Sequence, residues 1–175
     1  MTDSILIHDV GMRDVAAELG MSAGNLYYYF AGKQDLLAFC QEETLRALLA
    51  HARRILRRDI SAAGALEAIV AAHVELLNET LPGSLAHLEV EALAEQDRRR
   101  ILRQRRSYEQ LLRRLIADGQ KQGAFRPEVD PTIAVFGILG AVNWTVKWFR
   151  PGGRLPARII GEQIAQILIG GLQSE

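Results

Sequence analysis

Three places in this sequence carry residues equipped for chemistry. Arg98, Arg99, Arg100, Arg103, Arg105 and Arg106 put six guanidinium groups within nine residues. A guanidinium fork suits phosphate oxygens, but a solvated helix face balanced by Glu95, Asp97 and Glu109 would show the same pattern. His87 and Glu91 stand at i and i+4, where one helix face can offer two metal ligands. A lone pair does not complete a site, and no metal is expected. Cys40 is the single cysteine, which excludes an intramolecular disulfide and fits a reducing cytosol. On its helix it reads as a small packed hydrophobe. No phosphate loop, dinucleotide glycine motif, nucleophile elbow or zinc-ligand spacing is present. The chain is therefore not read as an enzyme, and no cofactor is expected. The third place, Ser22 to Phe30, becomes interpretable only with the elements around it.

Those elements read as helices almost throughout, which predicts an all-α fold. Met12 to Leu19 is a short helix stopped by Gly20, a residue suited to a left-handed turn. Ser22 is placed to cap a second helix, Ala23 to Tyr29. Ala31-Gly32 breaks the chain before a long helix from Lys33 to about Arg58, roughly 39 Å by helical rise. Asp59 or Ser61 caps the next helix, which ends near Thr80. Ser84 opens a further one to about Glu95. Asp97 to Gln122 is a charged amphipathic helix, with Ile101, Leu102, Tyr108, Leu111, Leu112, Leu115 and Ile116 as its apolar stripe. Pro131 to about Phe149 and Pro156 to about Leu172 are the last two. No strand, repeat or low-complexity segment is evident.

Composition sets the outer limits. Of 175 residues, 49% are apolar and 24% charged, which excludes a disordered chain. Zero formal net charge argues against a protein that coats nucleic acid by bulk electrostatics, though a small local reading surface remains open. The charge is uneven: residues 1–50 hold three basic and seven acidic residues, a net of −4, while arginines gather at 53, 54, 57 and 58 and at 98–106. Met1 to Val10 carries Asp3 and Asp9 and no Lys or Arg, unlike a signal peptide. The apolar stretch Ile133 to Val146 is too short to span a bilayer, so no membrane partner is expected and the location is read as cytoplasmic.

Met12 to Phe30 is physically a helix-turn-helix. Val15, Ala16 and Leu19 supply an apolar face, Gly20-Met21 makes the turn, and Leu26 and Phe30 anchor the second helix. Such a unit lays its second helix in the DNA major groove. The pattern Ser22-x-Gly24-x-Leu26-Tyr27-x-Tyr29-Phe30, followed by Lys33-x-x-Leu36-Leu37, resembles the TetR family of one-component transcriptional regulators. A weaker match, Gly140 to Gly153, resembles the ligand and dimer domain of a branch that senses acyl-CoA thioesters.

The resemblance implies a helix-turn-helix domain over residues 1–45 and a ligand-binding and dimerisation domain over 46–175. It assigns DNA contact to Ser22, Ala23, Asn25, Tyr27, Tyr28 and Lys33: Asn25 for a base edge, the tyrosine hydroxyls and Lys33 for phosphates. Tyr29 and Phe30 are read as core. A small-molecule effector, an acyl-CoA in the branch it resembles, would meet candidates His73, Leu77, His87, Leu88, Glu91, Tyr108, Leu112, Asn143, Trp144 and Lys147, which combine apolar walls with a few polar groups. The Arg98–Arg106 run is a candidate for coenzyme A phosphates. The last two helices, with small residues Gly137, Gly140, Ala141, Gly161 and Ala165, are read as a homodimer interface.

The expected function is a repressor that binds operator DNA as a dimer and is released by its effector. One departure stands out. The family begins with a full amphipathic helix, often after a basic arm, whereas only ten residues precede Gly11. That helix is therefore expected to be shortened or missing, leaving apolar side chains uncovered at about 1.5–3 kcal/mol each. The competing expectation is a dimeric small-molecule-binding protein with impaired or no DNA binding.

Overall fold

In a computed structural model, residues 11–81 and 90–173 are described. Among them are seven α-helices: α1 Met12–Glu18, α2 Ala23–Tyr29, α3 Lys33–Ile55, α4 Ala62–Glu75, α5 Glu95–Lys121, α6 Pro131–Trp148 and α7 Ala157–Gly170. The chain is all-α. Extended pairing among the described residues is limited to one isolated bridge between Phe125 and Gln173. No helix of the described residues is long and apolar enough to cross a membrane.

Local chemistry explains the boundaries. Gly20 adopts φ +64 as α1 ends. Its N–H donates to the Ala17 carbonyl at 3.0 Å, and the Met21 N–H reaches back to the Ala16 carbonyl at 2.9 Å. This paired closure needs a left-handed residue, which glycine supplies without strain. Ser22 Oγ accepts the Asn25 N–H at 3.1 Å, and Ser61 Oγ accepts the Gly64 N–H at 3.1 Å, so Ser61 rather than Asp59 caps α4. Asp130 accepts from the Thr132 and Ile133 N–H groups and Pro131 fills a position with no intrahelical N–H to lose. Those two bonds lower the Asp130 pKa.

Two boundaries differ from expectation. Arg57 and Arg58 close a turn onto Arg54 and Ile55 rather than extending α3. Of the helix expected over Ser84 to Glu95, residues 84–89 lie outside the described ones. Residues 90–94 form a turn, and Glu95 opens α5.

The main core joins α3, α4, α5, α6 and α7 around Leu48, Leu66, Val70, Leu112, Ile116, Val135 and Ile169. α4 packs most extensively on α7. A Cβ on Gly161 would stand 2.9 Å from the Ala71 backbone, so glycine allows that close crossing. A second cluster, Leu37, Ala38, Leu45, Leu93 and Ile101, ties the first half of α3 to the start of α5. A third, Met12, Ala16 and Leu26, with Leu36 against it, joins α1 and α2 to α3.

α4 does not stop at Glu75. It continues as one π-helical turn, Leu76–Thr80. Asn78 Nδ2 donates there to the Val74 carbonyl and to Thr145 Oγ1 of α6, both at 2.8 Å. The Glu79 carboxylate accepts the Ala157 N–H at 2.9 Å, satisfying one of the free donors at the start of α7.

Candidate nucleic-acid interface and ligand cavity

α2 is oriented by Leu26, which is buried against Met12 and Ala16. The opposite face is left open. Ser22, Asn25, Tyr27 and Tyr28 are exposed, and Ala23 and Lys33 are half-buried. Asn25 and Tyr28 are three residues apart and so share a face, presenting an amide and a hydroxyl. Phe30 packs at the edge of the small core, with its ring 5.3 Å from that of Phe39.

Two expectations fail here. Tyr29 is exposed and meets Tyr28 edge-on at 5.1 Å instead of entering the core. Leu19 is also exposed. α1 is only seven residues long and covers a narrow stripe of α2, and Tyr29 falls outside it. Leu19 is the residue at which α1 ends, beyond the packed face. Residues 1–10, where the shortened helix was expected, lie outside the described residues.

The second site lies between α3, α4, α5 and α6. A cavity of about 60 Å³ is lined by Leu45, His73, Arg105, Tyr108, Glu109, Leu139 and Asn143. His73 Nδ1 is 3.1 Å from the Tyr108 hydroxyl, and Nε2 is 3.2 Å from Asn143 Oδ1. Burial drives the His73 pKa down to about 4, against the opposing Asn143 hydrogen bond. The ring is thus neutral at physiological pH, with one donor and one acceptor. An amide oxygen only accepts, so Nε2–H donates to Asn143 and Nδ1 accepts the Tyr108 O–H. Burial likewise raises Tyr108 far above the usual phenol range, keeping that proton in place. Arg105 Nη2 donates to Gln41 Oε1 of α3 at 3.2 Å.

Of the expected effector residues, the structure therefore brings together His73, Tyr108 and Asn143. Leu77 and Leu112 are buried nearby in helix packing. Glu91 faces outward and pairs with Arg98 at 3.0 Å. Trp144 is exposed and Lys147 half-buried, and neither lines the cavity. His87 and Leu88 lie outside the described residues. Among the described residues, no three His, Cys, Asp or Glu side chains gather as a metal site.

Leu45, Glu109 and Leu139 also line the cavity, though nothing in the sequence pointed to them, together with Arg105 from the run expected to meet coenzyme A phosphates; Gln41 stands behind it. Gln41 left a signal: it interrupts the apolar stripe Leu37, Leu45, Leu48 of α3, and it is fully buried. The arginine run divides. Arg98 and Arg100 form ion pairs with Glu91 and Asp97, Arg100 also meets Glu42, and Arg105 turns inward. Of the small residues expected at an interface, Gly137 and Gly140 are exposed on α6 and Ala141 is half-buried. Gly161 and Ala165 are buried instead in the α4–α7 crossing and the main core.

Comparison with known proteins now bears on both sites. The family model "Bacterial regulatory proteins, tetR family" matches residues 7–39. The model "Tetracyclin repressor-like, C-terminal domain" matches residues 59–172. The chain belongs to the TetR family of transcriptional regulators.

Its relatives within that family are regulators, not enzymes. The HTH-type transcriptional repressor KstR2 of Mycobacterium tuberculosis is 28% identical over 167 residues, covering 94% of this chain and 83% of the relative. The solved structure of ketosteroid transcriptional regulator KstR2 of M. tuberculosis superposes with a TM-score of 0.83 at 26% identity, over 97% of this chain and 87% of that one. A structure of AibR in complex with isovaleryl coenzyme A and operator DNA superposes with a TM-score of 0.73 at 27% identity, over 95% of this chain and 89% of that one. In this TetR-family chain, α3 runs from the end of the first matched region across most of the interval before the second and physically joins the two sites.

Proposed function

We propose that this TetR-family regulator is a repressor that binds operator DNA as a homodimer and is released by a small hydrophobic or acyl-CoA-like effector. The observation that carries the reading is the open face of α2. A buried Leu26 turns Asn25, Tyr27 and Tyr28 outward on a helix-turn-helix, where they are free to meet a groove and its phosphates. The AibR complex, with both ligand and operator, supports the same pairing of partners.

The dimer is proposed along α6 and α7. Ile133, Phe136, Trp144 and Trp148 of α6 and Ile167 of α7 are all exposed, with Gly137 and Gly140 among them to admit a close helix. A concentration of large apolar side chains on one surface is characteristic of an interface. An effector in the cavity between α3 and α6 acts by favouring one spacing of the two recognition helices over another.

The test is selection of bound duplexes from a random library with the full chain. Enrichment of a two-fold symmetric site is expected. Tyr28→Ala should weaken that binding at least about tenfold, the loss of about 1.4 kcal/mol, and leave the dimer intact by sedimentation. Failure to enrich any sequence, with an intact dimer, would favour a ligand-binding protein that does not read DNA.

A further inference from the structure

Arg105 stands where the cavity meets α3. It lines the space with His73, Tyr108 and Asn143, and its Nη2 holds the amide oxygen of Gln41. The His73 ring is satisfied by Tyr108 and Asn143, so the charge in the wall comes from Arg105 and Glu109. Glu109 also accepts from Arg113 at 3.2 Å. Arg105 is thus the cation of the wall, and the Glu109 carboxylate opposite it is shared with Arg113, which stands outside the cavity. Burial lowers the Arg105 pKa, opposed by Glu109, as expected of a cation held away from water. The cavity, about 60 Å³, has room for a head group rather than a whole ligand. Leu45 and Leu139 supply apolar walls beside it.

We propose that Arg105 reads the acyl oxygen of the effector, a carboxylate oxygen of a free acid or the carbonyl oxygen of a thioester, and that its bond to Gln41 passes occupancy to α3. Gln41 lies two turns beyond Lys33, and Leu36 of the same helix packs on the core that joins α1 and α2. A ligand oxygen that draws the guanidinium into the cavity takes it from Gln41, and α3 then carries the change to the DNA-reading helices. This rests on the proposed ligand-responsive function and names the chemistry by which its site is read.

The test uses three probes on the full chain by titration calorimetry: hexanoyl-CoA, free hexanoate, and S-hexyl-CoA, the thioether that lacks only the acyl oxygen. Hexanoyl-CoA or hexanoate should bind at least about tenfold more tightly than S-hexyl-CoA, because a site built to hydrogen-bond a group rejects the analogue without it. Binding of hexanoate assigns the free acid as source, and binding of hexanoyl-CoA alone assigns the thioester. Arg105→Gln should abolish the preference. Arg105→Lys, which keeps the charge but not the fork, should reduce it and serves if the glutamine variant does not fold.

Binding of the thioether as tight as that of both the thioester and hexanoate, no binding of any probe, or a preference retained in both variants would overturn the assignment. Gln41→Met should keep the preference yet lose ligand-driven release of the selected duplex, and release as in the unaltered chain would sink the link to α3. The calorimetry needs no duplex, so failure of DNA selection alone would count against the repressor reading and not against Arg105.

Discussion

Tyr28 on α2 is 82% exposed, whereas Tyr108 on α5 is 3% exposed and bonded to His73. The same side chain serves opposite ends in the two halves of the molecule. Around α2 the core is small, three buried residues and their fringe among the described residues, and polar and aromatic groups are held out toward solvent. In the α3–α7 body the core is continuous across five helices, and polar side chains are drawn inside it, where Gln41, Thr44, His73 and Thr145 are each hydrogen-bonded. An exposed hydroxyl can choose its partner and costs little to remove. A buried one has its partner chosen by the fold, and its removal strands another group. The first arrangement suits recognition of an external surface, the second a ligand that must be engulfed.

The largest separation between the two halves should come from Phe125. It is buried in the main core, and its ring occupies the space where Gly119 has no side chain. Phe125→Ala should cost about 3–5 kcal/mol, read as a shift in urea midpoint at constant slope. A loss comparable to that of an exposed aromatic would mean that the body is not one packed unit.

His73 gives the next effect. Its folded pKa of about 4 lies below the ordinary histidine value of 6.5. Between those values the unfolded chain binds more protons, so the stabilisation is complete above pH 6.5 and lost as pH falls toward 4. The loss amounts to about 3 kcal/mol. Unfolding followed at several pH values should show this slope in the unaltered chain, and His73→Gln should lack it. An equal slope in both would place the titration elsewhere.

Smaller effects belong to the DNA-reading half. Ser22→Ala removes the cap on α2 and should lower stability by about 1 kcal/mol, seen most directly as faster amide exchange at Asn25. Tyr28→Ala should change global stability by no more than about 0.5 kcal/mol, even as it weakens duplex binding. Destabilisation by Tyr28→Ala on the scale of Phe125→Ala would erase the contrast between the halves.

Much of the helical layout was legible because helix ends are local events. Ser22, Gly20, Ser61 and Asp130-Pro131 each act on backbone groups within a few residues, so residue type suffices to place them. The open polar face of α2 was legible for the same reason, since Leu26 alone settles which way the helix faces. Tyr29 was not, because its exposure depends on how much of α2 the short α1 covers. Leu37, Leu45 and Leu48 form the buried apolar stripe of α3. The buried amide of Gln41 makes sense only once Arg105, 64 positions away along the chain, is seen to reach it.

The sequence by itself determined a helical chain with a capped helix-turn-helix and an enzyme-free complement of motifs, because these rest on short-range hydrogen bonds and on residue types in register. Only the tertiary structure decided which of many similar residues share a site. It brought His73, Tyr108 and Asn143 from three helices into one network, and it turned Arg105 inward while Arg98 and Arg100 stayed with surface acids. It also placed Gly161 against α4, apart from Gly137 and Gly140 on the open face of α6. Periodicity says that a helix has two faces. What each face meets depends on packing between segments far apart in the chain.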